Sequence, residues 1–406
     1  MRRDRLFLRI AAVALLLLTL LLASSGGPAP VSAEAPAQFA PLDPSKRFDK
    51  FSFVVYGDIQ DNFRQGHQAL VRQMLTEQPQ LVFNTGDISE DGGRGYERRF
   101  YPVVSELVGK IPFLPTIGNH DIRWNRPDSR TRFYSFFQEA YRGLASLPGN
   151  GHLADEGNQK LWYSFLYSDT LFVVLDSNFF IDEGRYRSTN LLPAYAGYRE
   201  EQLRWIRDLL RNAAKEGRHR ATFIFMHHSP FASAVTARAI PFLGIGGHPG
   251  HCEMLVNLQV PSDQPGPPLY LLDLFRETGV TAVFSGHEHY YERWEESVLE
   301  DGRPMRKISW IVTGLAGVKP RKAPAFEEAT LRAVTSQAHF VAYQARASAQ
   351  NAKWTSSLRH AYPNQDQPDG PFDHYALVTV DGSEIRFETK DTAGKVRDQG
   401  SFTLAR

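Results

Sequence analysis

The chain has 406 residues, 42% of them hydrophobic, enough apolar material for one large domain with insertions or for two domains. Its 46 basic and 45 acidic side chains nearly cancel, so charge gives no reason to propose nucleic acid or an anionic membrane surface as a partner. The single cysteine, Cys252, excludes an intramolecular disulfide framework and a thiolate metal cluster within one chain.

At the N-terminus Arg2, Arg3 and Arg5 precede an apolar run at residues 10–23, and small and proline-rich residues follow. Basic, then apolar, then small is the order of a secretory signal, with Val31-Ser32-Ala33 as the cleavage site; the alternative is an uncleaved membrane anchor, the one membrane attachment expected. Residues 1–33 therefore read as a signal peptide or N-terminal anchor and 34–48 as a Pro/Ala-rich linker. Residues 49–406 read as the folded domain, outside the cytoplasm, periplasmic or secreted. No later segment is apolar for long enough to cross a bilayer.

After the linker, strand and helix signals alternate. A strand is expected at 51–56, then a helix at 67–77 with Leu70, Met74 and Leu75 on one face, a strand at 81–83, a helix at 96–108 with Phe100, Val103, Val104 and Leu107 at helical spacing, and a strand at 111–117. This β-α-β-α-β order implies an α/β fold with a largely parallel sheet and helices on its faces. An insertion at 123–160 holds one expected helix, 130–144, and a Gly-rich loop at Gly149-Asn150-Gly151. Residues 162–167 and 170–175 then read as an antiparallel pair. A helix is expected at 201–214, with Leu203, Ile206, Leu209, Leu210 and Ala213 inward, followed by a strand at 221–226. A second insertion, 231–268, is rich in Gly and Pro. Beyond it come a helix at 269–278, strands at 280–284 and 308–312, and a third insertion at 319–371. The chain closes with a hairpin, 375–380 and 384–388, across Asp381-Gly382.

Five short polar runs stand at the ends of these apolar segments: Gly57-Asp58, Gly86-Asp87, Gly118-Asn119-His120-Asp121, His227-His228 and Gly286-His287-Glu288-His289. Ligands of open α/β sheets bind outside the carboxyl ends of the strands, where every one of these runs falls. A Gly-Asp pair after a strand is often only a turn or a helix cap, and a lone His there is often only a hydrogen-bonded surface residue. Five runs together, rich in carboxylate, imidazole and amide oxygen, point to one metal site.

These runs resemble the motifs of the calcineurin-like metallophosphoesterases. They read Gly57-Asp58-Ile59-Gln60, Gly86-Asp87-Ile88-Ser89, Gly118-Asn119-His120-Asp121, Met226-His227-His228-Ser229-Pro230 and Gly286-His287-Glu288-His289. The last run, continued by Tyr291-Glu292-Arg293, is similar to the subgroup near purple acid phosphatases. The resemblance spans roughly residues 51–313. It implies a four-layer α/β/β/α sandwich with loop and helix insertions, two metal ions and a phosphoester substrate. It also implies that Asp87 bridges the ions, that Asp58 and His289 complete one site, and that Asn119, His227 and His287 complete the other. Two cations about 3.5–4 Å apart can supply an activated hydroxide and clamp the phosphoryl oxygens of an in-line displacement. His120 would stabilise or protonate the leaving oxygen, with Asp121 orienting it, and His228 would stand beside the substrate.

The sequence departs from the family at Gln60, where a His ligand is usual, and at Glu90, where purple acid phosphatases place a Tyr. The first metal site would then be weaker, use Gln60 or Glu90, or take a harder ion, leaving Mn, Fe, Zn or Mg open. The expected activity is phosphoester hydrolysis, with a phosphodiesterase or a non-catalytic metal-binding scaffold of the same fold as alternatives. Outside the motifs, Arg123, Arg126, Arg130 and Arg132 read as a solvated face or a second substrate contact. Phe133, Tyr134, Phe136 and Phe137 read as core. His248 and His251 read as insertion residues that could line the cleft.

Overall fold

A computed structural model describes residues 38–60, 65–123, 126, 128–154, 160–181, 197–232, 249–262, 265–300, 303–320, 354–362 and 370–404. The expected signal or anchor and most of the third insertion lie outside these residues. Among the described residues no helix is long and apolar enough to cross a membrane.

The chain runs β1 (Lys50–Tyr56), α1 (Gln65–Glu77), β2 (Leu81–Asn84), a π-helical turn (Tyr96–Phe100), α2 (Tyr101–Lys110) and β3 (Phe113–Pro115). The first insertion folds as α3 (Ser129–Phe136) and α4 (Gln138–Ala145), and then come β4 (Tyr163–Tyr167), β5 (Thr170–Val174), α5 (Tyr198–Glu216) and β6 (Ala221–Phe225). The second insertion supplies α6 (Pro249–Val256) and β7 (Gln259–Val260), which pairs with β8 (Leu269–Tyr270). After α7 (Leu271–Glu277) the elements among the described residues are β9 (Ala282–Ser285), β10 (Tyr291–Glu300), β11 (Arg303–Thr313), β12 (Trp354–Tyr362), β13 (His374–Asp381), β14 (Glu384–Asp391) and β15 (Val396–Phe402).

Apart from the β7-β8 pair, the described strands form two sheets, ordered β15-β14-β13-β1-β2-β3 and β12-β10-β11-β9-β6-β5-β4. Within the first, β1, β2 and β3 are parallel, and the expected final hairpin, β13 and β14, adds antiparallel to β1. The sheets face each other across aromatic rings. Phe53 of β1 meets Phe172 and Phe223 at 5.2 and 5.1 Å, and Phe83 of β2 stacks on Phe225 at 3.9 Å. Strand side chains alternate, so Tyr56 points the other way and lies over His67 of α1. Both faces of β1 are covered, which is why its sequence is a nearly unbroken apolar run.

On the outer face of the second sheet, Leu203, Ile206 and Leu210 of α5 pack with Val173, Ile224 and Val283. Each such side chain contributes about 1.5–3 kcal/mol on burial. The helix ends where Gly217 takes a left-handed conformation (φ 60°) and its N–H reaches Ala213 O. The architecture is the four-layer α/β/β/α sandwich that the resemblance implies.

Several local expectations change. The single helix at 130–144 is two helices, α3 and α4, because the chain leaves helical geometry at Phe137. That break seats the Phe137 ring against Phe113 and Phe133, and the whole aromatic cluster is core. The helix expected from 269 starts only at Leu271, since Leu269–Tyr270 pairs with Gln259–Val260. Strands β7, β8, β10, β12 and β15 are not among the expected elements.

Candidate metal centre

The five polar runs meet at the carboxyl ends of β1, β2, β3, β6 and β9, where the two sheets share one edge. Asp58, Gln60, Asp87 and His287 all adopt positive φ, at 58°, 49°, 54° and 71°. Non-glycine residues rarely occupy this region, and such strain concentrates at functional sites. Two glycines permit the crowding. A Cβ on Gly118 would fall 2.2 Å from Asp87 N, and one on Gly286 would fall 2.2 Å from Asp58 Oδ2.

The histidines are oriented from behind. His227 Nδ1 donates to Thr85 O at 2.9 Å, and His289 Nδ1 donates to Lys319 O at 3.0 Å. In a neutral ring the lone pair is then on Nε2. His227 Nε2 lies 2.8 Å from Asn119 Oδ1 and 3.4 Å from Asp87 Oδ1. His287 Nδ1 lies 2.9 Å from the same Asn119 oxygen. His289 Nε2 lies 3.8 Å from Asp58 Oδ1, and Gln60 Nε2 donates to Asp87 Oδ2 at 2.9 Å, 3.3 Å from His289 Nε2. Lone pairs thus face lone pairs in a buried place, an arrangement that a shared cation relieves. Donor atoms of Asp58, Asp87 and His227 lie within 4.8 Å of one another, as do those of His227, His228 and His287. These residue types fit a transition metal or Mg, and the outer hydrogen bonds are of the kind that orients metal-binding imidazoles.

His120 stands at the rim. Its backbone N–H donates to Asp87 Oδ1 at 2.7 Å, and its Nε2 lies 3.9 Å from Asp87 Oδ2. Burial lowers the His120 pKa, but the carboxylates of Asp87 and Glu90 overcome this and hold it above the ordinary value. The expectation that Asp121 orients His120 is corrected here. Asp121 accepts from Gly118 N, Ser89 N and the Tyr96 hydroxyl, each at 2.9 Å, and so ties the second and third motifs together. Glu90 takes the expected place of Asp121, its Oε2 3.1 Å from His120 Nδ1, while Arg123 Nη2 lies 2.8 Å from that nitrogen. Glu90 also pairs with Arg123 at 2.7 Å, so its carboxylate is turned to these side chains. Burial and the neighbouring Asp87 push the Asp121 carboxyl up to about 7.

Other side chains have roles the sequence does not display. His228 Nδ1 lies 2.9 Å from Ser177 Oγ, on the turn after β5. His251 is brought in on α6 and is buried, its Nδ1 3.1 Å from His287 Nε2; His248 lies outside the described residues. The four arginines divide. Arg130 is buried, paired with Asp176 and set over the Phe179 ring, whereas Arg126 and Arg132 pair with Asp91 and Asp128. Arg123 reaches His120 of the third motif. The π-helical turn at Tyr96–Phe100 aims Tyr96 at Asp121, a use typical of such irregularities.

The sequence profile of the calcineurin-like phosphoesterase family matches residues 51–291. Acid phosphatase type 7 of Homo sapiens is 24% identical over 286 residues, 67% of this chain and 56% of that protein. The Mus musculus protein of the same name is 24% identical over 245 residues, 59% of this chain and 46% of its own length. The chain therefore spans about half the length of these curated relatives. A solved purple acid phosphatase from yellow lupin (Lupinus luteus) seeds aligns over 90% of this chain and 54% of its own, at 15% identity and a TM-score of 0.49. The profile covers more than half of the chain and all five motifs of the centre, so the chain belongs to the calcineurin-like phosphoesterase family.

Proposed function

We propose that this chain is an exported hydrolase of phosphoesters with a centre for two metal ions. The observation that carries the reading is the convergence of Asp58, Asp87, Asn119, His227, His287 and His289 at one buried edge, with the outer nitrogens of His227 and His289 held by backbone carbonyls. Asp87 is central: its Oδ1 faces His227 and its Oδ2 faces Gln60. It would be shared by both ions, with Asp58 and His289 on one side and Asn119, His227 and His287 on the other, while Gln60, which turns its Nε2 donor to Asp87, would hold that carboxylate and not an ion. Ions of Mn, Fe, Zn or Mg bound there supply positive charge for the phosphoryl oxygens and acidify water. His120, backed at Nδ1 by Glu90 and Arg123, presents Nε2 to the site and delivers a proton to the leaving oxygen. His228 lines the substrate side.

The test is elemental analysis of the purified protein, with rates on p-nitrophenyl phosphate and bis(p-nitrophenyl) phosphate. Up to two ions per chain are expected, and Asp87→Asn lowers both metal content and turnover. Full metal in that variant would remove Asp87 from the shared position. Turnover of the diester alone would select the phosphodiesterase alternative, and turnover of neither, with metal bound, would leave a scaffold. Export is tested by N-terminal sequencing of protein from its native cell. A start at Glu34 is expected, and Met1 on a soluble cytoplasmic protein would overturn this part of the proposal.

A further inference from the structure

His287 stands between two groups of side chains. On one side its Nδ1 faces Asn119 Oδ1 at 2.9 Å and His227 Nε2 at 3.3 Å, within the donor set. On the other its Nε2 faces His251 Nδ1 at 3.1 Å. A neutral imidazole has one N–H, so the partner on the outer side decides which nitrogen offers a lone pair to the inner side. For His227 and His289 that outer partner is a backbone carbonyl, which can only accept and cannot leave. For His287 it is a side chain from the second insertion.

We propose that His251 is a positioning residue for the metal centre: it accepts the Nε2–H of His287 and so keeps the His287 lone pair on Nδ1, toward Asn119. The proposal rests on the metal-centre reading above. The packing of α6 supports it. His251 is 2% exposed, its ring centroid 5.0 Å from those of both His228 and His287. The helix is seated by Leu255 and Val256 in the main core, and Cys252 Sγ approaches Ser229 O at 3.4 Å, beside the His227-His228 run. Helix α6 would furnish the outer half of one ligand's hydrogen-bond chain, and metal affinity would depend on where it sits.

Outer partners of metal-binding histidines typically change affinity by about 10–100-fold. The experiment titrates the full chain, stripped by a chelator, with Co²⁺. Wild type, His251→Leu and His251→Gln are compared, with thermal unfolding in chelator followed in parallel. Gln offers an amide oxygen that can accept where Leu cannot. The expected result is that His251→Leu weakens one Co²⁺ by about 10–100-fold and leaves the chelated melting temperature unchanged, while His251→Gln recovers most of the affinity. Wild-type affinity in His251→Leu would overturn the proposal, as would a Gln variant no better than Leu. A drop in the chelated melting temperature that accounts for the loss would make His251 merely structural. Failure of wild type to take up Co²⁺ at all would instead overturn the metal-centre reading, and this proposal with it.

Discussion

His120 is 23% exposed by its side chain, while the carboxylates on either side of it differ sharply: Asp87 is buried and Glu90 is about half exposed. The ring thus has one nitrogen turned to Glu90 and Arg123 and the other to the centre. A proton on Nε2 is placed for a leaving oxygen, and His120 touches the donor set only through its backbone N–H and the 3.9 Å approach to Asp87. His120→Ala should therefore leave metal content near normal and slow turnover by roughly 10²–10⁴-fold, the range for a positioned general acid. The loss should shrink for esters with good leaving groups, which need less protonation. Equal losses on p-nitrophenyl phosphate and on an alkyl phosphate would remove His120 from the acid role. Glu90→Gln should act in the same direction but less strongly, because Arg123 remains beside Nδ1.

The elements that were legible in the sequence are those whose pattern is local. The runs of β1, β2 and β6 and the amphipathic stripe of α5 show in the composition of a few residues, and the motifs at strand ends are short local runs that the fold brings together. What was not legible depends on distant partners. Strand β10 carries buried Arg293 and Glu296, acceptable only because Asp398 of β15 and Arg276 of α7 pair with them. His251 looked like a loop residue because nothing local says that α6 seats it on His287. Glu90, expected as a possible metal ligand, stands at the His120 ring where Asp121 was expected, because adjacency to His120 in the sequence does not decide which carboxylate faces its ring. The same holds for α1, where His67 sits between the Tyr56 and Phe100 rings with neither ring nitrogen hydrogen-bonded among the described residues. Burial lowers its pKa from 6.5 to about 3. Between these values the unfolded chain binds the proton that the folded chain refuses, so stability is complete above about 6.5 and falls as pH drops toward 3. His67→Phe should flatten that acid limb and cost little at neutral pH, as no hydrogen bond is lost. Melting temperatures from pH 4 to 7 would check this, and an unchanged acid slope would show that His67 does not govern it. His374, lowered to about 4 by burial, should contribute an independent part of the same limb.

At the scale of the molecule, the centre joins the two sheets. Asp58, Asp87 and Asn119 follow strands of the first sheet, and His227, His287 and His289 follow strands of the second. Protein bonds already cross there: His287 N–H reaches both Asp58 oxygens at 3.0 Å, and His227 Nδ1 reaches Thr85 O. Yet the crossing also brings two buried carboxylates close to imidazole lone pairs, which is costly without a counter-charge. The aromatic interface between the sheets would bind them without any ion, so metal removal should loosen this edge and not unfold the chain. An ion that binds only the folded form adds about 2.7 kcal/mol at a free concentration 100 times its Kd. EDTA should therefore lower the melting temperature of the wild-type chain by several degrees while leaving the transition cooperative. In Asp87→Asn, which removes the carboxylate proposed to be shared, the difference between EDTA and added metal should nearly vanish. His67→Phe, at a residue that contributes no atom to the donor set, should retain it. A wild-type chain shown to carry metal but melting at the same temperature with and without EDTA would mean that the sheets are locked by their aromatic interface alone, and that the ions add chemistry without adding cohesion.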